Sequence, residues 1–369
     1  MTAKRMVGLI FGGRSGEHEV SLLSARSVLG ALDPGRYQVI QIGIDHEGQW
    51  YSGADTLDAF ESGSTGSLDR VAMLAEPGHG QLFSWGLGKA LEVLASLDVV
   101  FPIVHGTFGE DGTLQGLLEL ADIPYVGAGV LASAVAMDKG LFKHLMEAHD
   151  LPSLDFDVFE ADRIREDLES VLADAEMVAD YPLFTKPANL GSSVGVSKVN
   201  NRSDLTEGLL EAAAYDRRIV VEKGIDAREI EVSVLGNEDP EASVPGEVVP
   251  SREFYSYEAK YIDDSSELLI PAPVDDVLME DIRRIAVEAY AAIDCAGMAR
   301  VDFLLERGSD RLFLNELNTI PGFTRISMYP KLWAASGLPY PELCDRLLDL
   351  AMARQSQKDH LVRSYGGGR

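Results

Sequence analysis

The chain alternates between short apolar segments and amphipathic ones, which is the pattern of an α/β protein. Residues 6–11 (MVGLIF) and 98–104 (DVVFPIV) are almost continuously apolar, as in strands covered on both faces of a sheet. A glycine-rich loop, residues 12–16, follows the first segment, and a helix begins at Glu17. A strand, a glycine loop and a helix in this order predict the first unit of a nucleotide-binding fold. The loop sequence GGRSG nevertheless lacks the full GxGxxG dinucleotide fingerprint.

The same two periodicities predict the other elements. Strands are predicted at 37–44, 155–159, 181–199 with an intervening Gly/Ser loop, 219–223 and 229–235. Helices are predicted at 113–121, as one element across 137–143, as one element over 161–175, in the Ala-rich segment before 218, at 276–293 and at 341–354. Residues 52–90, which are rich in Gly and Ser, show no clear pattern.

Residues 300–318 give the strongest strand signal. Two segments that alternate with a period of two flank a polar loop that contains a glycine, which predicts a hairpin. A turn near the middle of that loop places Asp302 opposite Glu316 and Arg300 opposite Asn318. Strict alternation in the second segment would put four residues on one face: Leu312, Leu314, Glu316 and Asn318.

The two carboxylates of this hairpin, Asp302 and Glu316, would repel each other unless a positive charge lay between them. Carboxylate and amide oxygens are the ligands that Mg²⁺ prefers. Arg300 and the backbone N–H of Gly322, in the loop that follows, suit a developing oxyanion. The alternative is a solvated sheet face with scattered acids, and the Pro-Gly loop beside the acids favours the site.

Composition and net charge limit the partners and the cellular location that are expected for the protein. The chain has 369 residues and a formal net charge of −28, so nucleic acid and anionic membranes are poor partners. No apolar run is long enough to span a bilayer, and the amino-terminal residues lack the layout of a signal peptide, so a cytoplasmic protein is expected. Only two cysteines, Cys295 and Cys344, are present, which excludes a disulfide framework and fits a reducing compartment.

A second candidate region would bind phosphate. Residues 191–195 (GSSVG) join two predicted strands, and the backbone N–H groups of such a loop can fold over phosphates. Lys186 ends the preceding strand, where a cation for phosphate would lie, although the sequence contains no Walker loop. Taken alone, the loop reads equally well as a flexible turn, and Lys139 reads as a surface lysine.

A further group of residues are candidates for binding adenine. Glu222 and Lys223 follow an apolar strand, whose end can offer a backbone donor and acceptor to an adenine edge. Glu229 and Glu231 share one face of the next predicted strand. Glu229 could accept the ribose hydroxyls, whereas Glu231 is expected to lie on a half-exposed strand without a site role.

Eight segments occur in one order along the chain: GGRSGEHEVS, HGTFGEDGTLQG, MDK, TKPANLGSSVGVSKV, VEKGIDAREIEVSV, YSYEAKY, ARVDF and NELNTIPGFT. Together they make the chain resemble the D-alanine–D-alanine ligases of the ATP-grasp superfamily over nearly its whole length. The resemblance implies an α/β fold with a Rossmann-like (pre-ATP-grasp) amino-terminal domain, residues 1–127, followed by a two-part ATP-grasp fold. Its parts would be a central lid-bearing domain, 128–222, and a carboxyl-terminal catalytic domain, 223–369, with ATP between them.

By the same resemblance, each matching position carries a role in binding ATP or metal. The ATP phosphates would meet Lys139, Lys186, Lys260 and the loop that contains Gly191 and Ser193. Adenine and ribose would be framed by Glu222, Lys223, Ile225 and Glu229. Two Mg²⁺ ions, which Mn²⁺ could replace, would be held by Asp302, Glu316 and Asn318. Other aliphatic residues are common in the family at the position of Ile225, a change that preserves backbone contacts.

The amino acid substrates have implied residues as well. Glu17 would take the ammonium of the first D-alanine with His105 nearby, Arg300 and the Gly322 N–H would stabilise the oxyanion, and Ser327 and Met328 would lie by the carboxylate of the second D-alanine. Ser192 and Tyr261 would link a lid at 251–261 back to Glu17. Met328, like Ile225, stands where other aliphatic residues are common in the family.

The resemblance implies that the chain joins two D-alanines through an acylphosphate formed from ATP, for peptidoglycan precursor synthesis. D-alanine and ATP are the expected partners, together with a second copy in a homodimer. Four rival interpretations stay open: a D-alanine–D-lactate ligase, another ATP-grasp carboxylate–amine ligase, a nucleotide-binding regulatory module and a dehydrogenase. Tyr261 argues against the first, since relatives that prefer the hydroxy acid tend to lose this tyrosine, and the broken glycine fingerprint argues against the last.

Overall fold

The computed structural model describes residues 3–78, 80–88, 90–191, 193–249 and 267–362. The predictions for Ser192, Lys260, Tyr261 and the lid at 251–261 lie outside the described residues. Within them, the chain folds around three β-sheets with helices packed on their faces, so the α/β class is confirmed.

The first sheet has seven strands and occupies the amino-terminal part of the chain. The strands are β1 (Arg5–Gly12), β2 (Tyr37–Ile44), β3 (Trp50–Ser52), β4 (Asp69–Met73), β5 (Gln81–Ser84), β6 (Glu92–Ser96) and β7 (Val99–Pro102), in the spatial order β6-β5-β4-β3-β2-β1-β7. β1 pairs in parallel with β2 and β7, and β3 to β6 extend the sheet in antiparallel fashion. The unassigned segment 52–90 therefore supplies much of one sheet edge.

Both faces of the central strands of this sheet are covered. The helices beside it are α1 (His18–Ala31), α2 (Thr56–Glu61) and α3 (Thr113–Leu120), with a 3-10 turn at Thr65–Ser67. Leu9 packs in one buried cluster with residues of α1, whereas Ile10 packs on the opposite face with Leu118 of α3. Burial on both sides is why β1 and β7 read as continuous apolar runs.

The second sheet is antiparallel and lies in the middle of the chain. Its strands are β8 (Phe156–Glu160), β9 (Leu183–Pro187), β10 (Ser197–Val199) and β11 (Arg218–Lys223), in the order β10-β9-β11-β8. The helices of this part of the chain are α4 (Val130–Met137), α5 (Lys139–Ala148), α6 (Ala161–Glu166), α7 (Leu168–Ala175) and α8 (Arg202–Tyr215).

Two helices that the sequence predicted as continuous are each divided. The prediction of one helix across 137–143 is wrong because Asp138 leaves helical geometry and its side chain accepts the Leu141 N–H at 2.9 Å, which caps α5. The prediction of one helix over 161–175 fails in the same way, since Asp167 caps α7 through the Ser170 N–H. Aspartate competes for backbone N–H groups and so favours helix starts over helix interiors.

The third sheet carries the predicted hairpin. Its strands are β12 (Ala227–Gly236), β13 (Glu241–Ala242), β14 (Gly246–Val249), β15 (Glu267–Leu269), β16 (Gly297–Glu306) and β17 (Leu312–Asn318), in the order β15-β14-β12-β16-β17 with β13 beside β12. The helices of this region are α9 (Asp276–Ala292), α10 (Met328–Ala335) and α11 (Tyr340–Asp359). The helix predictions at 276–293 and 341–354 are confirmed to within a few residues.

Long-range packing ties these parts together. Phe142 of α5 lies in the same buried cluster as Val232 of the third sheet, although the whole second sheet lies between them in sequence. Leu347 of α11, near the carboxyl terminus, lies in the buried cluster of β1 and β7 in the first sheet. The division into domains at 127 and 222 stays a prediction.

One irregularity decides which residues of β17 face outward. The register shifts between Asp302 and Phe303, so that Leu314 pairs with Phe303 and Asn315 is the extra residue. Leu314 and Leu317 are therefore both buried in the core. The predicted strict alternation of β17 is wrong, because the bulge puts Leu314 on the core face and leaves Glu316 on the other.

No helix of the described residues is both long enough and apolar enough to cross a membrane.

Candidate active site

One cleft of about 750 Å³ is lined by loops and strands of all three sheets. The predicted site residues that line it are Glu17, His105, Lys139, Lys186, Gly191, Ser193, Glu222, Lys223, Ile225, Glu229, Arg300, Asp302, Glu316, Asn318 and Gly322. They come from positions up to 305 residues apart in sequence, between Glu17 and Gly322. The chain therefore folds so that its chemically interesting residues converge on one cavity.

The hairpin register is as predicted. Asp302 pairs with Glu316, and Arg300 pairs with Asn318, across β16 and β17. Arg300 donates two hydrogen bonds to the Asp302 carboxylate, from Nε and Nη2, both at 2.7 Å. Lys139 Nζ lies 3.6 Å from the Glu316 carboxylate. The repulsion between the facing acids is thus offset by one arginine and one lysine.

The row of acids extends to a third strand. Glu231 of β12 lies directly opposite Asp302, so Glu231, Asp302 and Glu316 form one row across three strands. Glu231 Oε2 is 3.1 Å from Arg300 Nε, and the residue is only 5% exposed. The expectation that Glu231 lies half-exposed is wrong, because the strand is central in its sheet and Arg300 covers the carboxylate.

The donor set of the hairpin fits a divalent cation chemically. Asp302 and Glu316 contribute hard carboxylate oxygens, and the Asn318 amide contributes a neutral one. Asn318 Nδ2 donates to Asp302 Oδ2 at 3.0 Å, so the amide already lies within reach of the carboxylate. Within the described part of the chain, no group of three or more His, Cys, Asp and Glu side chains is arranged to hold a metal.

A second charged cluster lies on the second sheet. The Glu222 carboxylate is bonded by two lysines: Lys143 Nζ at 2.5 Å on one oxygen, and Lys186 Nζ on the other. Glu222 and Lys143 are each only 1% exposed, whereas Lys186 reaches the cleft. Burial alone would raise the pKa of the Glu222 carboxyl, but the attraction of the two ammonium groups outweighs it and lowers the pKa.

His105 braces two loops of the site. Its Nδ1 lies 2.9 Å from the Ile320 carbonyl oxygen, which can only accept, so Nδ1 carries the proton. Its Nε2 therefore accepts from the Ser24 hydroxyl at 2.9 Å, and Ser24 Oγ in turn accepts the Phe323 N–H at 3.3 Å. Burial lowers the pKa of His105, so the ring is neutral at pH 7. Both ring nitrogens thus hold the 320–323 loop that carries Gly322.

Glu110 joins the same two loops. Its carboxylate accepts the Gly106 N–H at 2.8 Å and the Ile320 N–H at 3.3 Å. Burial and the neighbouring Glu17 raise the pKa of Glu110 to about 8, against the effect of the two backbone hydrogen bonds. A carboxyl of this kind exchanges a proton near neutral pH.

Glu17 lies where two glycine loops come together. A Cβ placed on Gly106 would lie 2.5 Å from Glu17 Oε2, and one on Gly191 would lie 3.0 Å from it. Gly106 also has a positive φ of 74°, which disfavours other residues. The backbone conformation therefore favours glycine at Gly106, and the Glu17 carboxylate lies close to both Gly106 and Gly191.

Two predicted substrate residues lie apart from the rest. Ser327 and Met328 are absent from the described residues that line the cleft. The Ser327 hydroxyl is bonded to Thr324, and Met328 is buried in a small apolar cluster with Val248 and Leu332. Their predicted place by the second D-alanine stays a prediction.

Sequence patterns did not identify three residues that shape the site: Lys143, Glu110 and Ser24. Lys143 and Ser24 lie within helices, where periodicity predicts only a face and not a partner. Glu110 lies within the HGTFGEDGTLQG segment, which was the one available signal. Each has a partner distant in sequence, namely Glu222, His105 and Ile320 respectively for Lys143, Ser24 and Glu110, and only the folded chain identifies these contacts.

Comparisons with known proteins agree with the predicted family. A family model described as D-ala D-ala ligase N-terminus matches residues 6–128, and one described as D-ala D-ala ligase C-terminus matches residues 145–349. The D-alanine--D-alanine ligases of Natranaerobius thermophilus and Thermoanaerobacter sp. (strain X514) are 47% and 50% identical to the chain. Both alignments cover 96% of this chain, and they cover 97% and 98% of the respective relative.

Solved structures lead to the same group. The D-alanine-D-alanine ligase from Coxiella burnetii is similar with a TM-score of 0.81 and 37% identity, over 96% of each chain. The VanG D-Ala:D-Ser ligase from Enterococcus faecalis is similar with a TM-score of 0.84 and 33% identity, over 95% of this chain and 100% of that one. The predicted fold, an ATP-grasp fold preceded by an amino-terminal α/β domain, is thus confirmed. By sequence and by structure, the chain belongs to the D-alanine–D-alanine ligase family.

Proposed function

We propose that this chain, as a member of that family, joins two D-alanines to D-alanyl-D-alanine while ATP is converted to ADP and phosphate, for peptidoglycan precursor synthesis. The observation that carries the proposal is the composition of the cleft. Lys139 and Lys186 face it together with Arg300 and a row of acids. Cations for a polyphosphate, acids for a divalent metal and a fixed guanidinium are the parts that an acylphosphate ligase needs.

The first step activates a carboxylate, which is too poor an electrophile to react with an amine. A carboxylate oxygen of the first D-alanine attacks the γ-phosphorus of ATP, the bond to the β–γ bridging oxygen breaks, and ADP leaves. Positioning and charge neutralisation dominate such a transfer. Lys139 and Lys186 would hold the phosphates, and Glu17 would hold the ammonium of the D-alanine.

The second step forms the peptide bond. The amino nitrogen of the second D-alanine attacks the acylphosphate carbon, the bond from carbon to the phosphate oxygen breaks, and the amine loses a proton. Negative charge develops on the carbonyl oxygen in between. Arg300 would stabilise that charge together with the Gly322 N–H, and Glu231 and Asp302 hold the guanidinium in place.

We assign the proposed metal site to Asp302, Glu316 and Asn318, with two Mg²⁺ or Mn²⁺ ions expected. Divalent cations at this place would neutralise the phosphate oxygens of ATP and keep them oriented. The chain's own contribution is to hold the three oxygen donors on adjacent strands. Lys139, which lies 3.6 Å from the Glu316 carboxylate, would then be released toward substrate charges, while Glu231 retains its contact with Arg300.

Two further proposals concern the setting of the enzyme: a homodimer and a cytoplasmic location, both by analogy with the family. Sedimentation velocity of the purified chain tests the first proposal. Fractionation of cells that express a tagged chain tests the second. A monomer at assay concentration, or recovery with the membrane fraction, would contradict them.

The test of the main proposal is ADP release with ATP and Mg²⁺, with each amino acid added in turn and the product identified by mass spectrometry. We expect release that depends on D-alanine and yields the dipeptide. D-serine and D-lactate serve as competing second substrates, because one structural relative is a D-Ala:D-Ser ligase and the lactate activity is the nearest rival. A preference for either, or nucleotide binding without turnover, would refute the assignment.

A further inference from the structure

Lys143 lies behind the wall of the cleft. It follows Lys139 by one turn of α5, so both side chains leave the same face of the helix. Lys139 lines the cleft, whereas Lys143 is not among the described residues that do so. The Lys143 ammonium instead ends at the buried carboxylate of Glu222, 2.5 Å away, close to the ring of Phe156.

Glu222 is held from two sides. Lys143 bonds Oε1 from the protein interior, and Lys186 bonds Oε2 from the cleft. The two lysines differ in freedom, because Lys186 lies next to open space and Lys143 is enclosed. One carboxylate is thus shared by a fixed ammonium and a movable one, and the cluster carries one surplus positive charge.

This arrangement has a consequence for the movable lysine. A buried carboxylate without a cation is strongly disfavoured, so Glu222 must keep at least one partner. If Lys143 were absent, that partner would have to be Lys186. With Lys143 present, Lys186 can turn toward an incoming phosphate while Glu222 remains neutralised.

We propose that Lys143 is a positioning residue for the nucleotide site, which holds the charge of Glu222 from behind so that Lys186 is released to bind a phosphate of ATP. The inference rests on the proposed function, since it requires ATP as the substrate of the cleft. Lys143 itself touches neither the cleft nor the substrate. Its role is to set how strongly Lys186 is retained by Glu222.

The readout is the ratio of two dissociation constants, Kd for adenosine over Kd for ATP, measured by calorimetry with Mg²⁺ on the whole chain. Adenosine occupies the base pocket but carries no phosphate for Lys186. Lys143→Met removes the fixed ammonium at similar length, and we expect Kd for ATP and ADP to rise about tenfold while Kd for adenosine changes less than about twofold. Lys331→Met, on α10 outside the cleft, is the matched control and should leave both values unchanged.

A second variant keeps the test valid if Lys143→Met folds poorly. The double variant Lys143→Met/Glu222→Gln removes the buried cation and the buried anion together, which avoids an uncompensated charge. Lys186 is then not retained, so the ratio should recover toward the wild-type value. Lys143→Arg, which keeps the positive charge, should also lie closer to wild type than Lys143→Met.

Two results would overturn the inference: an unchanged ratio in Lys143→Met, which includes an equal loss for adenosine and ATP, or no recovery in the double variant. An equal loss would mean that Lys143 only maintains the shape of the pocket. A wild-type chain that binds ATP no better than adenosine would instead count against the proposed function. The two failures are therefore distinguishable in one set of titrations.

Discussion

Glu222 and Glu110 are two carboxyl groups of the same cleft that are both withdrawn from water, and their surroundings drive their proton affinities in opposite directions. Glu222, at the end of β11, contacts two ammonium groups and has a lowered pKa. Glu110, in the loop after β7, accepts two backbone N–H groups with Glu17 nearby, and its pKa rises to about 8. Burial penalises the charge of each group, so the nature of the partners decides the outcome.

The difference assigns different tasks to the two regions. A carboxylate fixed by full positive charges stays ionised and can serve as a permanent anchor for lysines. A carboxyl fixed by amide dipoles beside another acid can take up a proton near pH 7. The second-sheet cluster is therefore suited to hold a polyphosphate at constant charge, while the first-sheet loop responds to pH.

Removing the anion from the buried cluster should have the largest effect. Glu222→Gln leaves the enclosed Lys143 without its carboxylate, and we expect the free energy of unfolding to fall by about 3 kcal/mol at pH 7. Because the pKa of Glu222 is lowered in the folded chain, this contribution is present above its ordinary value of 4.5. It should be lost as the pH falls from there toward the folded pKa.

Urea unfolding measures this difference, and Glu306→Gln is its matched control. Glu306 carries the same side chain and bonds Arg311 and Ser309 at the end of the hairpin, outside the cleft. We expect a much smaller loss there than in Glu222→Gln, because water screens a surface ion pair. Equal losses in the two variants would remove the distinction between a buried anchor and a surface pair.

Glu316 is a third kind of carboxylate, since its side chain is 25% exposed and lies 3.6 Å from Lys139. Glu316→Gln should leave stability almost unchanged but lower kcat by about 10²–10³-fold, because a proposed metal ligand is lost. ADP release at varied Mg²⁺ checks this prediction. Normal turnover with the wild-type dependence on Mg²⁺ would refute the metal assignment.

The planar shape of the Arg300 guanidinium matters as well as its charge. Its guanidinium bonds Asp302 through two nitrogens while one of them also lies near Glu231. A lysine at this position keeps the positive charge but cannot donate the two parallel hydrogen bonds of a guanidinium. Arg300→Lys should therefore lower kcat by about 10²-fold. The KM for ATP should change little. Steady-state kinetics separate the two constants, and a change confined to KM would contradict an oxyanion role.

The protonation of Glu110 can be measured through the pH dependence of the free energy of unfolding. Its raised pKa means that the folded chain keeps a proton which the unfolded chain releases near pH 4.5. Stability should therefore decline as the pH rises from about 4.5 to about 8, by up to ~1.4 kcal/mol per pH unit. Glu110→Gln lacks this titration, so the difference in unfolding free energy between wild type and variant should follow that slope. Parallel profiles from pH 5 to 8 would show that Glu110 does not hold the proton.

Local pattern was sufficient where the partner is a near neighbour in sequence. The pairing of Asp302 with Glu316 follows from a short turn and two alternating segments, and the structure confirms it. The change of face between Leu314 and Glu316 could not be predicted, because the bulge at Asn315 leaves no signal in an otherwise regular strand. A single inserted residue changes which face every later side chain takes.

Contacts between residues distant in sequence could not be predicted from the local pattern. Glu231 was assigned to a half-exposed strand because its own segment alternates, yet β16 places Arg300 and Asp302 against it. Helices α4 and α5 looked like one element, since propensity does not distinguish an aspartate that caps a helix from one exposed on its surface.

The sequence by itself determined the family, the α/β class and the residue types available for chemistry, because ordered motifs and periodicity are properties of the chain alone. Only the tertiary structure decided that Lys143 bonds Glu222, that His105 bonds the Ile320 carbonyl and the Ser24 hydroxyl, and that Glu110 accepts N–H groups from Gly106 and Ile320. Charge and proton affinity depend on burial and on groups within a few ångströms. Apart from Gly106, which is four positions from Glu110, those neighbours lie 79 to 215 positions away in sequence, and packing brings them together.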